Sequence, residues 1–193
     1  MCRIGCNTTL ESSPQPIPKR VDTQMQYILA PYMATPNDVV LRMLNLAEVD
    51  AGDHVLDLGC GDGRVVIAAA RECGARGTGI DIEPYWIEES QRNATVAGVA
   101  DRVEFSVQDA TRCDVSSASV VFLYLVQWSM QLMAPRLRAQ LLPGARVVSL
   151  SFPIQDWSPT RIERFVDEFD VERVLYLWVV AAKPVATIDS AAT

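Results

Sequence analysis

From residue 54 to residue 152, short apolar runs of strand length alternate with longer stretches of helix length. That alternation constrains the fold most. Such a chain buries its strands by laying them parallel in one sheet, with the connecting helices on its faces. Residues 54–58, 77–82, 102–107, 119–125 and 146–152 read as strands. Residues 64–73, 84–97 and 129–142 read as helices, the last with an internal Pro135. Pro84 stands in a first helical turn and Gly98 just past the end of the same helix. Ahead of the first strand, Thr35-Pro36-Asn37-Asp38 predicts a helix start with Thr35 as N-cap and Pro36 as first helical residue. Val39, Val40, Met43, Leu44 and Leu46 supply its buried face, and Gly52 is expected to close it. Residues 165–169 and 174–181 read as two more strands around a tight turn near Asp170. The expected architecture is α/β: a three-layer αβα, doubly wound, mostly parallel seven-stranded sheet with an antiparallel last strand. Residues 25–185 are expected to form this domain. The segments 1–24, interrupted by Pro14, Pro16 and Pro18, and 186–193 are expected to be flexible tails.

The loop after the first strand carries the chemistry. Asp57-Leu58-Gly59-Cys60-Gly61-Asp62-Gly63 joins a strand to a helix, where glycine lets the backbone turn tightly and approach a ligand. A dinucleotide loop has its third glycine one place later, in Gly-x-Gly-x-x-Gly. Here the spacing is Gly-x-Gly-x-Gly, and Asp57 precedes it. That acid repels a pyrophosphate but suits a ligand bearing a cation. S-adenosylmethionine (SAM) carries an ammonium and a sulfonium. Its carboxylate is expected to meet the loop's N–H groups, over Gly59, Cys60 and Gly61, and its ammonium to lie near Asp57. Asp81, at the end of the second strand, is placed to accept the two ribose hydroxyls, and Ile82 to cover one adenine face. The helix-terminal role beside it falls to Glu83. In Gln108-Asp109-Ala110, at the end of the third strand, Asp109 is placed to accept the adenine amino group, with Ala110 beside it.

On these residues the chain resembles a class I, seven-stranded SAM-dependent methyltransferase over residues 32–182. The resemblance implies a Rossmann-like fold, the cofactor SAM and methyl-transfer activity. Tyr32-Met33-Ala34-Thr35-Pro36, residues 121–133, Arg146-Val147-Val148-Ser149-Leu150-Ser151-Phe152-Pro153 and Trp157-Ser158-Pro159 are similar to a narrower branch. That branch holds lysine methyltransferases acting on the ATP synthase c-subunit and the adenine nucleotide translocase, with small prokaryotic relatives. In it, the segment matching Tyr32 and Thr35 lies against the cofactor.

Methyl transfer from a sulfonium is an in-line displacement that needs alignment and desolvation, and a base only when the acceptor arrives protonated. The fourth strand ends at Tyr124-Leu125-Val126-Gln127-Trp128, without the Asn/Asp-Pro-Pro-Tyr/Phe motif of adenine, cytosine and glutamine methyltransferases. Tyr124, Gln127 and Trp128 are candidates for the acceptor site, and Asp156 and Trp157 for its far wall. Tyr32, Tyr124 and Asp156 are the candidate catalytic groups. His54, the one histidine, sits at the opposite end of its strand. No cluster has metal-ligand spacing.

The formal charge of -7 gives no general attraction to a phosphate backbone, so the expected acceptor is a small molecule or a protein side chain, with lysine one option. The alternatives are an RNA methyltransferase and a non-catalytic SAM-binding regulatory domain. The five cysteines fit neither a metal framework nor an even disulfide set, and Cys73 and Cys113 read as small apolar residues. With no transmembrane run and no apolar signal-peptide core, the expected location is cytoplasmic.

Overall fold

The computed structural model describes residues 30–182. The segments 1–24 and 186–193 lie outside the described residues, as do Cys2 and Cys6. The elements are α1 (Asn37–Leu46), β1 (His54–Leu58), α2 (Arg64–Ala68), β2 (Arg76–Asp81), α3 (Pro84–Val96), β3 (Val103–Val107), β4 (Val120–Leu123), α4 (Gln127–Gln140), β5 (Arg146–Leu150), β6 (Arg161–Val166) and β7 (Glu172–Val179). The last turns of the second helix widen into a π-helix over Ala69–Cys73.

The strands form one seven-stranded sheet in the order β3-β2-β1-β4-β5-β7-β6. β1 to β5 are parallel neighbours, and β7 runs antiparallel to both β5 and β6. The expected doubly wound sheet is therefore present. Strand alternation sorts its side chains into two cores. Val55, Val120, Phe122, Val148, Leu175 and Leu177 pack with α1 and α2 on one face. Leu56, Leu58, Val121, Leu123, Val147 and Trp178 pack with Met130, Met133 and Leu137 of α4 on the other. Ala94 of α3 joins Val66, Ile67 and Val103 in a third cluster. The strand order reverses between β1 and β4, which opens a crevice above their carboxyl ends. Among the described residues, no helix is long and apolar enough to cross a membrane.

Several boundaries differ from expectation. Pro36, not Thr35, occupies the N-cap of α1, and no side chain caps it. The helix ends at Leu46 rather than near Gly52, because the chain turns left-handed at Glu48 (φ 52°). The N–H groups of Glu48 and Val49 donate to the carbonyls of Asn45 and Leu44, which satisfies the helix end. β6 runs over Arg161–Val166, earlier than the expected 165–169. It is an edge strand, so Arg161 and Arg164 stand exposed along it and mask its periodicity. The buried Asp167 closes the following turn by accepting the N–H groups of Phe169 (2.9 Å) and Val171 (3.0 Å) and pairing with Arg173 (2.7 Å). No helix links β3 to β4. Ala110, Cys113, Val115 and Ala118 fill that place on the α4 side of the sheet.

At the amino ends of the strands, Arg146 binds the carbonyls of Ala47 (2.8 Å) and Glu48 (3.1 Å) and pairs with Asp53. Asp53 also accepts from the Ser119 hydroxyl (2.6 Å) and the Asp50 N–H (2.9 Å). His54 meets the Thr78 hydroxyl there at 2.9 Å, away from the crevice.

Candidate cofactor and active site

The crevice holds a cavity of about 250 Å³ between the segment 30–35, the loop after β1, and the ends of β2, β3 and β4. Tyr32, Thr35, Asp57, Gly59, Cys60, Gly61, Asp81, Ile82, Ala110 and Tyr124 all line it. So do Asp62, Arg64 and Trp86, which sequence reasoning did not single out.

Two glycines make the loop possible. Gly61 has φ 51°, and a Cβ there would sit 2.6 Å from Cε2 of Tyr32. Gly63 has φ 80°, and a Cβ there would meet Ser90 at 2.7 Å and Phe105 at 2.8 Å. Four of the loop's amides already have partners within the protein. Those of Gly59 and Cys60 donate to the Ile80 carbonyl at 2.8 and 2.9 Å, and that of Gly63 to the Cys60 carbonyl at 2.9 Å. The Gly61 N–H donates to Asp81 Oδ2 at 2.9 Å. A ligand carboxylate meeting these N–H groups shares them with those partners. Arg64 is the one basic side chain among the described residues that line the cavity.

Asp81 holds the loop and also accepts the Glu83 N–H at 3.0 Å through Oδ1. The turn into α3 is thus made by Asp81, whereas Glu83 occupies the N-cap position without a side-chain cap bond. Asp57 is buried. Desolvation, then the charges of Asp81 and Asp62, push its pKa up to about 7. Burial likewise pushes the Cys60 thiol up, and Asp57 adds to the effect.

Over this floor lies the segment 30–35. The Tyr32 ring stacks on Trp86 of α3, with centroids 3.7 Å apart and planes 22° apart. Arg64 donates to Asp62 through Nε (2.9 Å) and Nη2 (2.6 Å), to the Thr35 carbonyl through Nη1 (2.7 Å), and to the Tyr32 hydroxyl through Nη2 (3.4 Å). Asn93 of α3 fixes the Asp62 carbonyl at 3.0 Å. Burial opposes ionisation of Asp62, but its contacts with Arg64 hold its carboxyl below the usual carboxylate range.

The structure does not bring every candidate to the cavity. Asp109 accepts the Thr111 N–H (2.9 Å) and hydroxyl (2.7 Å) and lies 3.5 Å from Arg112; its neighbours Gln108 and Ala110 line the cavity instead. Gln127 and Trp128 belong to the first turn of α4, which starts two residues earlier than expected. Gln127 Nε2 reaches the Pro153 carbonyl at 3.4 Å, and Trp128 packs on the α4-side core. Trp157 also packs there, its carbonyl accepting from Trp178 at 2.7 Å, with Arg138 over its ring at 5.3 Å. Asp156 is exposed, with φ 56°, and its carbonyl accepts from Arg138. On the acceptor side Tyr124 alone of these candidates lines the cavity, and its hydroxyl engages Arg173.

Comparisons with known proteins agree with this geometry. A model of the ANTKMT methyltransferase domain matches residues 57–161. A protein-lysine N-methyltransferase of Saccharolobus islandicus (strain REY15A) is 36% identical over 151 residues, which covers 78% of this chain and 93% of that protein. The adenine nucleotide translocase lysine N-methyltransferase of Mus musculus is 33% identical over 149 residues; the match covers 77% of this chain but 63% of the mouse protein. Among solved structures, an RNA methyltransferase from Salinibacter ruber in complex with S-adenosyl-L-homocysteine is 44% identical, with a TM-score of 0.73. That match covers 81% of this chain and 99% of the other.

Proposed function

The chain belongs to the ANTKMT methyltransferase domain family and is a SAM-dependent methyltransferase, and from that premise we propose that its acceptor is the side-chain amine of a protein lysine. The observation that carries the proposal is the charge of the cavity. Asp57, Asp62, Asp81 and Glu83 line it, against the single cation Arg64. With Asp57 and Asp81 given to the cofactor and Asp62 paired with Arg64, the negative charge left at Glu83 still favours an amine that arrives as an ammonium over a phosphate backbone. The archaeal and mouse relatives, both named as lysine methyltransferases, support the same acceptor. Membership in a methyltransferase family removes the non-catalytic alternative.

The cavity also fits the cofactor on its own chemistry. A buried carboxylate with raised pKa, Asp57, matches a ligand that brings an ammonium. Asp81, each of whose carboxylate oxygens keeps a lone pair beyond its bond from the Gly61 or Glu83 N–H, stands at a strand end where a ribose diol would be held. Ile82 and Ala110 provide apolar surface for a base. When bound, SAM supplies a methyl group made electrophilic by its sulfonium. The protein's part is alignment and exclusion of water. Tyr32 and Tyr124 line the cavity with their rings, their hydroxyls being held by Arg64 and Arg173, and offer an aromatic wall for an acceptor amine. Asp156 lies outside the cavity and has no role in this proposal. Free thiols at Cys60, Cys73 and Cys113 accord with a reducing compartment, and we place the reaction in the cytoplasm.

RNA is the second reading, favoured by the Salinibacter ruber structure. One experiment separates the two. An extract is incubated with the protein and SAM carrying a radiolabelled methyl group, then treated with protease or with ribonuclease. Label in protein that survives ribonuclease and appears as methyl-lysine after hydrolysis is the expected result. Label released only by ribonuclease overturns the lysine assignment.

A further inference from the structure

Cofactor exchange in this family requires a route into the cavity, and the strap 30–35 lies across it. Two aromatic rings join the strap to the opposite wall of the cavity. Tyr32 comes from the strap and Trp86 from the first turn of α3, on the other side, and both line the cavity. Their rings stack at 3.7 Å, so nothing of adenosyl size passes between them without parting them. Tyr32 also rests on Gly61, where only the absence of a Cβ makes room.

One side chain fastens the strap to the floor. Arg64 is the first residue of α2, at a helix N-terminus, where the macrodipole disfavours a cation. Its placement is explained by its partners. Nε and Nη2 grip Asp62 in the glycine loop, Nη1 holds the Thr35 carbonyl at 2.7 Å, and Nη2 reaches the Tyr32 hydroxyl. Asp62 is in turn fixed through its carbonyl by Asn93 of α3. Floor, strap and α3 are thereby joined through one guanidinium. A charged fork with several donors suits this task, and no other residue type supplies three partners in a plane.

We propose that Arg64 is a positioning residue that latches the Tyr32–Trp86 gate, and that opening of this latch sets the rates at which cofactor enters and spent cofactor leaves. Arg64 touches no reacting atom in this account. It acts through Tyr32 and Thr35. The inference rests on the SAM-dependent methyltransferase assignment but is independent of the acceptor.

The test uses the full chain, immobilised, and S-adenosyl-L-homocysteine, with association and dissociation followed by surface plasmon resonance, a readout that does not depend on Trp86. Wild-type protein should bind it; absence of binding there would remove the cofactor assignment itself and so is distinguishable from failure of the latch. Arg64→Gln is expected to raise both the association and the dissociation rate, the latter about tenfold, as expected for loss of charge-assisted hydrogen bonds. Arg64→Lys keeps the charge but cannot hold Asp62 and Thr35 together, so its rates should fall between. Trp86→Ala leaves the latch and removes the stack, and should also speed association. A generally damaged site would slow association and lower the melting temperature instead. Unchanged rates, or slower association in Arg64→Gln and Trp86→Ala, overturn the proposal. Should Arg64→Gln fail to fold, Arg64→Lys and Trp86→Ala decide by the same criterion.

Discussion

With Asp57 holding the cofactor's ammonium as proposed, cofactor affinity is expected to depend on pH. The pKa of Asp57 is pushed up to about 7, first by burial and then by Asp81 and Asp62. The cofactor's ammonium gains from Asp57 only when that group is ionised, so binding below pH 7 must first release a proton. SAM affinity should therefore fall as pH drops, by up to about tenfold per unit below 7. An α-amino group loses its own proton near about pH 8, so affinity should peak between the two values. Calorimetry from about pH 5.5 to about pH 8.5 checks this, with Asp57→Asn expected to flatten the acid limb. A flat wild-type profile would reject the role given to Asp57. The sign for folding is opposite. Between the ordinary carboxylate range and 7, the folded protein holds a proton that the unfolded chain has lost, so the free protein is destabilised as pH rises through that window. The places of Asp57, Gly61 and Asp81 at the cavity were legible in the sequence, because each stands at or just past the carboxyl end of a strand. Asp109 misled, because a loop aspartate also satisfies its own neighbours, here Thr111. Arg64 did carry a signal, a cation opening a helix against its dipole. Tyr85-Trp86 carried another, since two adjacent aromatics on a helix do not both face the core.

Helix ends show why element boundaries shifted. α1 and α3 finish in the same motif. In α3 the left-handed residue is Gly98, and the N–H groups of Gly98 and Val99 donate to the carbonyls of Thr95 and Ala94. In α1 that position is Glu48, a residue that gives no stop signal in a sequence. Gly52 drew the expected end six residues too far along. Glu48→Gly is thus expected to stabilise the protein by about 0.5–1 kcal/mol, the left-handed penalty net of the entropy of glycine. Its backbone carbonyl, which accepts from Arg146, is kept. Urea unfolding with an unchanged slope and a higher midpoint would bear this out, and a lower midpoint would refute it. β6 was mislocated for a different reason. Its faces alternate exposed and half-buried rather than buried and exposed, so Phe165 and Phe169 outweighed Arg161 and Arg164 in the pattern.

For the whole molecule, strand order and helix layering follow from alternation of short apolar runs with helical stretches, because parallel neighbours require crossovers. The irregular crossover from β3 to β4 was not legible. Small residues such as Ala110, Cys113 and Ala118 pack a loop as well as a helix. The network at the amino ends of the strands was equally hidden, since Asp53, Ser119 and Arg146 are far apart in sequence. It ties the end of α1 to β1, β4 and β5 through Arg146, whose Nε is buried without a partner. Asp53→Ala should leave more of that guanidinium uncompensated and destabilise the fold by about 1–3 kcal/mol. Because the network lies opposite the cavity, SAM affinity should be unchanged. A variant with wild-type unfolding midpoint would count against this account.

The edge strand β6 has a consequence for how the protein behaves at high concentration. Nearly half of the sequence is apolar, at 49%, and the sheet ends on a strand whose outer backbone groups meet no neighbouring strand among the described residues. Such an edge is a template for strand addition by another copy. Here an incoming chain would meet Arg161 and Arg164 standing exposed, with Glu163 already held by Arg42. Stripping solvent from those guanidinium groups costs more than a few new ladder bonds return. The charges that hid β6 from its sequence pattern also insulate the sheet against growing into fibres.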